Sequence, residues 1–243
     1  MKMNRKNKGI NFQSIKKFWD RRAQQYERER SYSITNLEED DKLQELKVKL
    51  EREHVFKLLK LTPDMRVLDL GAGVGAWSIL FASKCKEVVA VEYSGKMIDI
   101  AKQTAEQASI NNIEFVCKDV LDFSTTQKFD VIFSSGLLMY LPDSQISKLL
   151  LNIKGYSQNG TILFLREPTG TEGRYEIVDK YSEALKTHYS ALYRTRDEYI
   201  EMFKRIGYSL IRDEDMFEEG SPLNKWKETR LRVYLFKHER TYN

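Results

Sequence analysis

Three glycines at alternate positions, Gly71, Gly73 and Gly75, follow the β-rich run RVLDL and precede a stretch of helical character. Glycine has no Cβ and readily adopts positive φ, so the backbone can turn sharply and approach a ligand closely. A strand, a glycine turn and a helix in this order are the context of a nucleotide-binding turn in a βαβ unit. The sequence therefore predicts an α/β fold with a ligand site at this turn.

Short β-rich runs alternate with helical stretches from residue 65 onward. The runs are RVLDL, EVVAVE, IEFVC, FDVIFSS and TILFLRE, with helices predicted at residues 76–83, 95–109 and 144–153. This order implies right-handed crossovers and a parallel sheet covered on both faces. Two further runs, YSLIRDEDMF and TRLRVYLFK, follow without a helix between them and should pair antiparallel at the sheet edge. The prediction is a seven-stranded Rossmann-like sheet, mostly parallel, with an antiparallel last strand.

The segments on either side of these five runs are predicted to be helical. Residues 1–62 contain no strand signal, and helices are expected at residues 13–29 and 37–59, which form an N-terminal helical cap. Residues 63–243 then form the α/β domain. Within it, residues 167–206 are expected to form a helical lid between the fifth and sixth strands of the sheet. Its second helix begins at Thr195, which can form a capping box with Glu198.

Composition excludes several classes of protein. The 243 residues are 41% hydrophobic and 31% charged, which is ordinary for a globular enzyme. No apolar run approaches the roughly 18 residues that span a bilayer, and no membrane partner is expected. The net charge of +4 is spread along the chain, so nucleic acid is an unlikely partner. Cys85 and Cys117 form no CxxC pair, so no metal site is predicted. A cytoplasmic protein is expected.

Acidic residues stand where three successive strands end. Asp69 precedes the glycine turn, Glu92 closes the second strand about 20 residues after Gly71, and Asp119 follows the third strand. A carboxylate at the position of Glu92 can accept both hydroxyls of a ribose. The GxGxG spacing differs from that of dinucleotide sites, and Asp69 favours a cofactor with an ammonium group and no phosphate. The alternative is that these residues are only capping carboxylates and turn glycines.

Residues 65–167 resemble the class I methyltransferases that use S-adenosylmethionine (SAM), and the remainder of the chain does so more loosely. The DLGAGVG run matches the first motif of that family. The resemblance implies that SAM is the cofactor, that Glu92 holds the ribose and that Asp119 contacts the adenine. The implied cofactor-binding residues are Asp69, Gly71, Ala72, Gly73, Gly75, Glu92, Tyr93, Met97, Asp119 and Val120.

The run FDVIFSSGLLMYLPD resembles the fourth-strand motif of the same family and implies that Ser134, Ser135, Met139 and Tyr140 lie near the reactive sulfonium. FWDRRAQQY resembles the opening helix of small-molecule methyltransferases, in which Trp19, Arg22 and Tyr26 would cover the cofactor. The Asn/Asp-Pro-Pro-Tyr/Phe motif of enzymes that methylate exocyclic base amines is missing. A small-molecule acceptor is therefore favoured over a nucleic acid base.

Candidate catalytic residues are His188, Glu167 and Tyr140. His188 falls on an apolar stripe of the predicted lid helix, where it is either a packing residue or the base that takes a proton from the acceptor. Glu167 is expected just past the fifth strand, as a base or as a solvated loop carboxylate. The other two histidines, His54 and His238, are expected at the surface.

The predicted lid is rich in arginine and tyrosine, including Arg174, Arg194 and Arg196. Arginine favours bidentate recognition of carboxylate or phosphate, so a small anionic acceptor is expected, phosphorylated or nucleotide-linked. Acidic residues of the same stretch could instead pair with these arginines. Two other functions remain open, namely a methyltransferase acting on RNA or a protein terminus and a protein that binds SAM without turnover.

Overall fold

The computed structural model describes residues 12–24, 40–182 and 187–239. Two helices precede the sheet, α1 (Phe12–Gln24) and α2 (Asp41–Leu58). An alternating series follows, made of β1 (Arg66–Leu70), α3 (Ala76–Ala82), β2 (Glu87–Glu92), α4 (Gly95–Gln107), β3 (Ile113–Cys117), β4 (Val131–Ser135), α5 (Asp143–Tyr156) and β5 (Ile162–Gly170). The last elements are β6 (Tyr175–Ser182), β7 (Thr187–Tyr193), α6 (Arg196–Lys204), β8 (Tyr208–Asp215) and β9 (Thr229–His238).

Seven strands form one sheet in the order β3-β2-β1-β4-β5-β9-β8. Strands β1 to β5 pair in parallel, and β9 runs antiparallel to both β5 and β8. The predicted sheet, including its antiparallel last strand, is confirmed. The chain reverses its strand order between β1 and β4, and the carboxyl ends of the strands meet at that point, which is where open α/β sheets bind ligands.

Alternate residues of each strand enter two separate cores, one on each face of the sheet. Leu68 and Leu70 of β1 pack with α5 and α6, whereas Val67 packs with α2 and α3. Both faces are thus covered, as the uninterrupted apolar character of these strands requires. Among the described residues no helix is long and apolar enough to cross a membrane.

The lid differs from the prediction. Residues 175–182 and 187–193 form an antiparallel two-stranded sheet, β6–β7, and not a helix. The tyrosines at positions 175, 189 and 193 and the isoleucine at 177 satisfy a two-residue period, and aromatic and β-branched residues favour strands. The ladder slips between Ile177 and Lys180, where Asp179 adopts a φ of 50°. Among the described residues of this region only α6 is helical, and its capping box of Thr195 and Glu198 is present as predicted.

Candidate active site

The glycine turn joins β1 to α3 with three residues in the left-handed region: φ is 74° at Gly71, 55° at Gly73 and 73° at Gly75. At Gly75, which caps α3, a Cβ would come within 2.9 Å of the Cβ of Ala101. A side chain at Gly75 would therefore separate α3 from α4. The turn also brings the backbone amide of Gly73 to the neighbouring strand end.

That amide donates a hydrogen bond to the carboxylate of Glu92. This carboxylate accepts hydrogen bonds from Gly73 N at 3.1 Å and from Ser94 N at 2.9 Å, and the residue is 5% exposed. Burial raises the pKa of Glu92, and the hydrogen bonds from Ser94 and Gly73 oppose that rise. A carboxylate has about four lone-pair positions, so Glu92 can accept further bonds from a ligand on its cavity side.

Asp69 lies on β1, the strand that pairs with β2, which carries Glu92, and it is also buried. Its Oδ2 accepts from Ser78 Oγ at 2.6 Å, so α3 holds the side chain in place. Burial raises the pKa of Asp69 to about 7, the bond from Ser78 opposes this, and the charge of Glu92 adds to it. A cationic group in the cavity would favour ionisation of Asp69.

Asp119 forms an ion pair with a residue that the sequence motifs did not indicate. Lys16 of α1 places its Nζ 2.5 Å from Asp119 Oδ2, across 103 positions of sequence. Tyr93 holds the same turn of α1, because its hydroxyl donates to Lys16 O at 2.7 Å. The first helix is therefore fastened to the carboxyl edge of the sheet at the ends of β2 and β3.

The segment after β4 forms a short 3₁₀ turn, Leu138–Tyr140. Glu167 is fully buried within β5, not past its end, and its carboxylate accepts from Leu137 N at 2.7 Å and Leu138 N at 2.8 Å. Burial raises the pKa of Glu167 to about 7 against the effect of these amides. The side chain therefore supports the turn that presents Tyr140, and it does not face water.

Tyr140 lines the cavity beside Trp19, with ring centroids 5.5 Å apart. Burial raises the pKa of Tyr140, which keeps its hydroxyl protonated near neutral pH. Among the serines of β4, Ser135 lines the cavity and accepts from Arg166 at 2.9 Å, whereas Ser134 is buried away from it.

His188 lies on β7 and not on a helix, and its side chain is 61% exposed. Its Nδ1 is 3.1 Å from Asp179 Oδ1, and its ring packs edge-on against Tyr181. The expectation that a helical stripe places His188 towards the pocket is wrong because the segment is a hairpin. His238, expected at the surface, is buried against Tyr208.

The arginines expected at the acceptor instead bind acidic side chains of other elements. Arg194 is fully buried and donates to Leu138 O and Leu141 O, each at 2.7 Å, and to Asp143. Arg196 pairs with Asp213, at 2.6 Å. Arg174 pairs with Asp143 and with a carboxylate of α6. The alternative of ion pairing is thus correct in kind: Glu198 lies within the lid, whereas Asp143 and Asp213 lie outside it.

These elements enclose one cavity of 1160 Å³. Of the predicted site residues, those that line it are Asp69, Gly71, Ala72, Gly73, Glu92, Tyr93, Met97, Asp119, Val120, Ser135 and Tyr140. Gly75, Ser134, Glu167 and His188 do not line it, and Tyr26 lies outside the described residues. The carboxylates and the close backbone approach at Gly73 fit an adenosine that bears an amino acid.

Sequence reasoning predicted a lid but not its hairpin, and it assigned none of the cavity-lining residues of α2. Inward-facing hairpin residues are Tyr175, Ile177, Lys180, Tyr181, Tyr189 and Tyr193, and α2 contributes Lys47, Val48, Glu51 and Arg52. Alternation of aromatic and apolar residues was the available signal for the hairpin. For α2 there was none, because its wall includes charged residues that resemble a solvated helix face.

Comparison with known proteins agrees with this fold. Residues 67–160 match the methyltransferase domain family. A curated relative, phosphoethanolamine N-methyltransferase 1 of Arabidopsis thaliana, is 34% identical over 122 residues, which are 49% of this chain and 24% of the relative. The chain thus spans about a quarter of the length of that curated relative.

Two solved structures share the fold at low identity. Phosphoethanolamine N-methyltransferase 1 of Haemonchus contortus, in complex with phosphoethanolamine and S-adenosylhomocysteine, has a TM-score of 0.69 at 18% identity, covering 96% of this chain and 50% of that one. The DhpI complex with S-adenosylhomocysteine has a TM-score of 0.66 at 17% identity, covering 94% and 98%. Residues 67–160 thus match the methyltransferase domain family, and the described part of the chain has the methyltransferase fold.

Proposed function

We propose that this protein is a SAM-dependent methyltransferase whose acceptor is a small molecule bearing an anionic group, such as a phosphate ester. The observation that carries the proposal is that the hairpin β6–β7 covers the same cavity into which the strand-end carboxylates open. A cofactor at the strand ends and an acceptor under the hairpin would then lie side by side.

The strand-end residues suit the cofactor. Glu92 would accept the ribose hydroxyls, Asp119 the adenine amino group, and Asp69 would face the ammonium group of the methionine part. Met97 and Val120 line the cavity nearby and would pack against the adenine. When bound, SAM supplies a methyl group activated by its sulfonium. The protein's main contribution is then to hold the acceptor in line with that group and to exclude water.

The charges that line the cavity support an anionic acceptor. Carboxylates come mainly from strand ends, where the cofactor would bind. Lys16 and Arg166 also line the cavity, where they pair with Asp119 and Glu51. Further cations come from α2, from the hairpin and from the β8–β9 connection, at Lys47, Arg52, Lys180 and Lys225. An anionic group beneath the hairpin would be attracted by these side chains. The names of the phosphoethanolamine N-methyltransferase relatives agree with an acceptor of this class.

The test is transfer of a labelled methyl group from SAM to defined acceptors. We expect phosphoethanolamine or another small phosphate ester to be labelled, and ethanolamine, which lacks the phosphate, to be labelled far more slowly. RNA and protein fractions of a cell extract are assayed in parallel. Label only in a macromolecular fraction would contradict the small-acceptor proposal, and no transfer despite SAM binding would indicate a binding protein.

A matched pair of variants tests the role of positive charge in the lid. Lys180→Ala should raise the KM of the acceptor about three- to tenfold and leave SAM affinity unchanged, since loss of a charged partner costs about 1 kcal/mol at an exposed site. Lys204→Ala removes an exposed lysine of α6 that does not line the cavity. Equal effects of the two variants would mean that Lys180 does not contact the acceptor.

A further inference from the structure

Beneath the hairpin, the ring of Tyr140 stands almost at right angles to each of two neighbouring aromatic rings. Trp19 of α1 meets Tyr140 of the 3₁₀ turn at 82° with centroids 5.5 Å apart, and Tyr140 meets Tyr189 of β7 at 86° and 6.1 Å. All three line the cavity. Perpendicular neighbours form adjacent walls of a box, and we call these three residues the aromatic box.

A second aromatic pair adjoins the box. Tyr175 and Tyr193 stack at 17° with centroids 5.9 Å apart, and both line the cavity. Tyr189 Oη lies 3.2 Å from Tyr193 Oη and 3.5 Å from Tyr140 Oη, so the hydroxyls bond to each other. Burial raises the pKa of all three of these tyrosines, which leaves the rings neutral. The walls are therefore uncharged π-systems whose hydroxyls already have partners.

Two charged side chains act on the aromatic box with opposite sign, the buried carboxylate of Glu167 and the guanidinium of Arg22. Glu167 lies under the turn that carries Tyr140, and its charge raises the pKa of both Tyr140 and Tyr189. Arg22 acts on Tyr140 in the opposite sense, and burial lowers the pKa of Arg22 itself. A ring face attracts a cation through its quadrupole, and several faces around one site attract it most strongly.

We infer that the aromatic box binds the cationic head of the acceptor, an alkylammonium group, and that the methyl group is therefore transferred to nitrogen. This inference rests on the proposed function and adds to it the identity of the accepting atom. The anionic end of the same acceptor would point towards the lysines of the cavity wall.

The chemistry balances without a further reactant. The amine first loses a proton to water, and its lone pair then forms the bond from nitrogen to the methyl carbon. The bond from that carbon to sulfur breaks, its electrons return to sulfur, and S-adenosylhomocysteine leaves without the sulfonium charge. Positive charge thus moves from sulfur to nitrogen, where the rings stabilise it more as the transfer proceeds.

The test uses two probes of similar size, tetramethylammonium and uncharged tert-butanol, titrated into the 243-residue protein saturated with S-adenosylhomocysteine. Binding is followed by saturation-transfer NMR at matched ionic strength. We expect tetramethylammonium to bind at least about tenfold more tightly than tert-butanol. Equal binding of the two probes would overturn the inference, because the rings would then act only as an apolar surface.

Variants distinguish an effect of the aromatic rings from an effect of side-chain volume. Tyr189→Leu and Trp19→Leu should each weaken tetramethylammonium binding about three- to thirtyfold, whereas Tyr189→Phe keeps the ring and should retain most of it. Phe56→Leu removes an aromatic ring that does not line the cavity, and it should change nothing. Each variant is first checked for binding of S-adenosylhomocysteine, and the Tyr189 pair decides if Trp19→Leu does not fold. Unchanged binding in Tyr189→Leu would assign the rings to packing.

Failure of this inference is distinguishable from failure of the proposed function. Methyl transfer to a small anionic acceptor without selective binding of tetramethylammonium would overturn the aromatic box alone. Selective binding of tetramethylammonium with no transfer to any small acceptor would overturn the proposed function and leave the cation site standing.

Discussion

Glu167 and Arg194 hold one short turn from two sides: Glu167 accepts the amides of Leu137 and Leu138, and Arg194 donates to the carbonyls of Leu138 and Leu141. Both side chains are fully buried. Between them they satisfy backbone groups that would otherwise be orphaned, since a 3₁₀ turn of three residues makes few bonds of its own. The position of Tyr140 follows from this pair.

Loss of Arg194 should therefore damage stability. Arg194→Ala removes the donor to Leu141 O, one of the two donors to Leu138 O and an ion pair with Asp143, and we expect the free energy of unfolding to fall by about 3 kcal/mol. Arg196→Ala is the control, because Arg196 makes a half-exposed pair with Asp213 that contributes at most about 1 kcal/mol. Urea denaturation measures both. Equal stability of the two variants would refute the structural role of Arg194.

Glu92→Ala should weaken SAM binding about ten- to a hundredfold, because hydrogen bonds to a charged acceptor are worth roughly 1.5–3 kcal/mol. Calorimetric titration with SAM measures the change. Glu87→Ala, at the opposite end of the same strand, provides the control. A folded Glu92→Ala protein with the wild-type dissociation constant would show that Glu92 does not hold the ribose.

Lys16 and the adenine amino group would compete for Asp119. Asp119→Asn should weaken SAM binding, whereas Lys16→Ala removes the competing ion pair and should leave the affinity equal or higher. The dissociation constants of SAM for the two variants and the wild type, measured under the same conditions, test this expectation. Weaker binding in Lys16→Ala would mean that this lysine itself contacts the cofactor.

Stability should depend on pH through Asp69. Its pKa is about 7 in the folded protein and about 3.9 in an unfolded chain, so the folded state binds more protons between these values. The free energy of unfolding therefore falls as pH rises from about 4 to 7. Asp69→Asn should flatten this slope in part, since Glu167 contributes with the same sign. Urea midpoints at several pH values test this, and an unchanged slope would contradict it.

His188→Ala should keep kcat within about threefold of the wild-type value, because the exposed ring of His188, which contacts Asp179 and Tyr181, does not itself line the cavity. Steady-state rates of methyl transfer at pH 7 provide the measurement. A loss of a hundredfold or more, the usual contribution of a general base, would restore His188 as a catalytic residue.

Local sequence was sufficient for the sheet and for one side of the cavity. The runs VVAV and ILFL are buried on both faces, and parallel strands bring Asp69, Glu92 and Asp119 to one edge whatever the side chains elsewhere. These features depend on neighbours in the chain and on topology, both of which the sequence pattern carries.

The hairpin and the partner of Asp119 depend on distant contacts. Ile177, Tyr181 and His188 fit a helical stripe as well as a strand. The hairpin is favoured by its packing against α1 and by the hydrogen bonds of Arg194, which follows β7, to the 3₁₀ turn. Lys16 reaches Asp119 from the far end of the chain, and a single lysine in a charged helix gives no signal of that pairing.

The first helix connects the two halves of the cavity within one turn. Lys16 contacts Asp119 at the adenosine end, and Trp19, three residues later, forms a wall of the aromatic box. A ligand that released Lys16 would also change the freedom of Trp19, and the two binding equilibria would then be linked through α1. Linkage is reciprocal, and the factor by which the cofactor alters acceptor affinity must equal the factor by which the acceptor alters cofactor affinity. Under the proposed function, the helix would couple the binding of the cofactor to the binding of the acceptor.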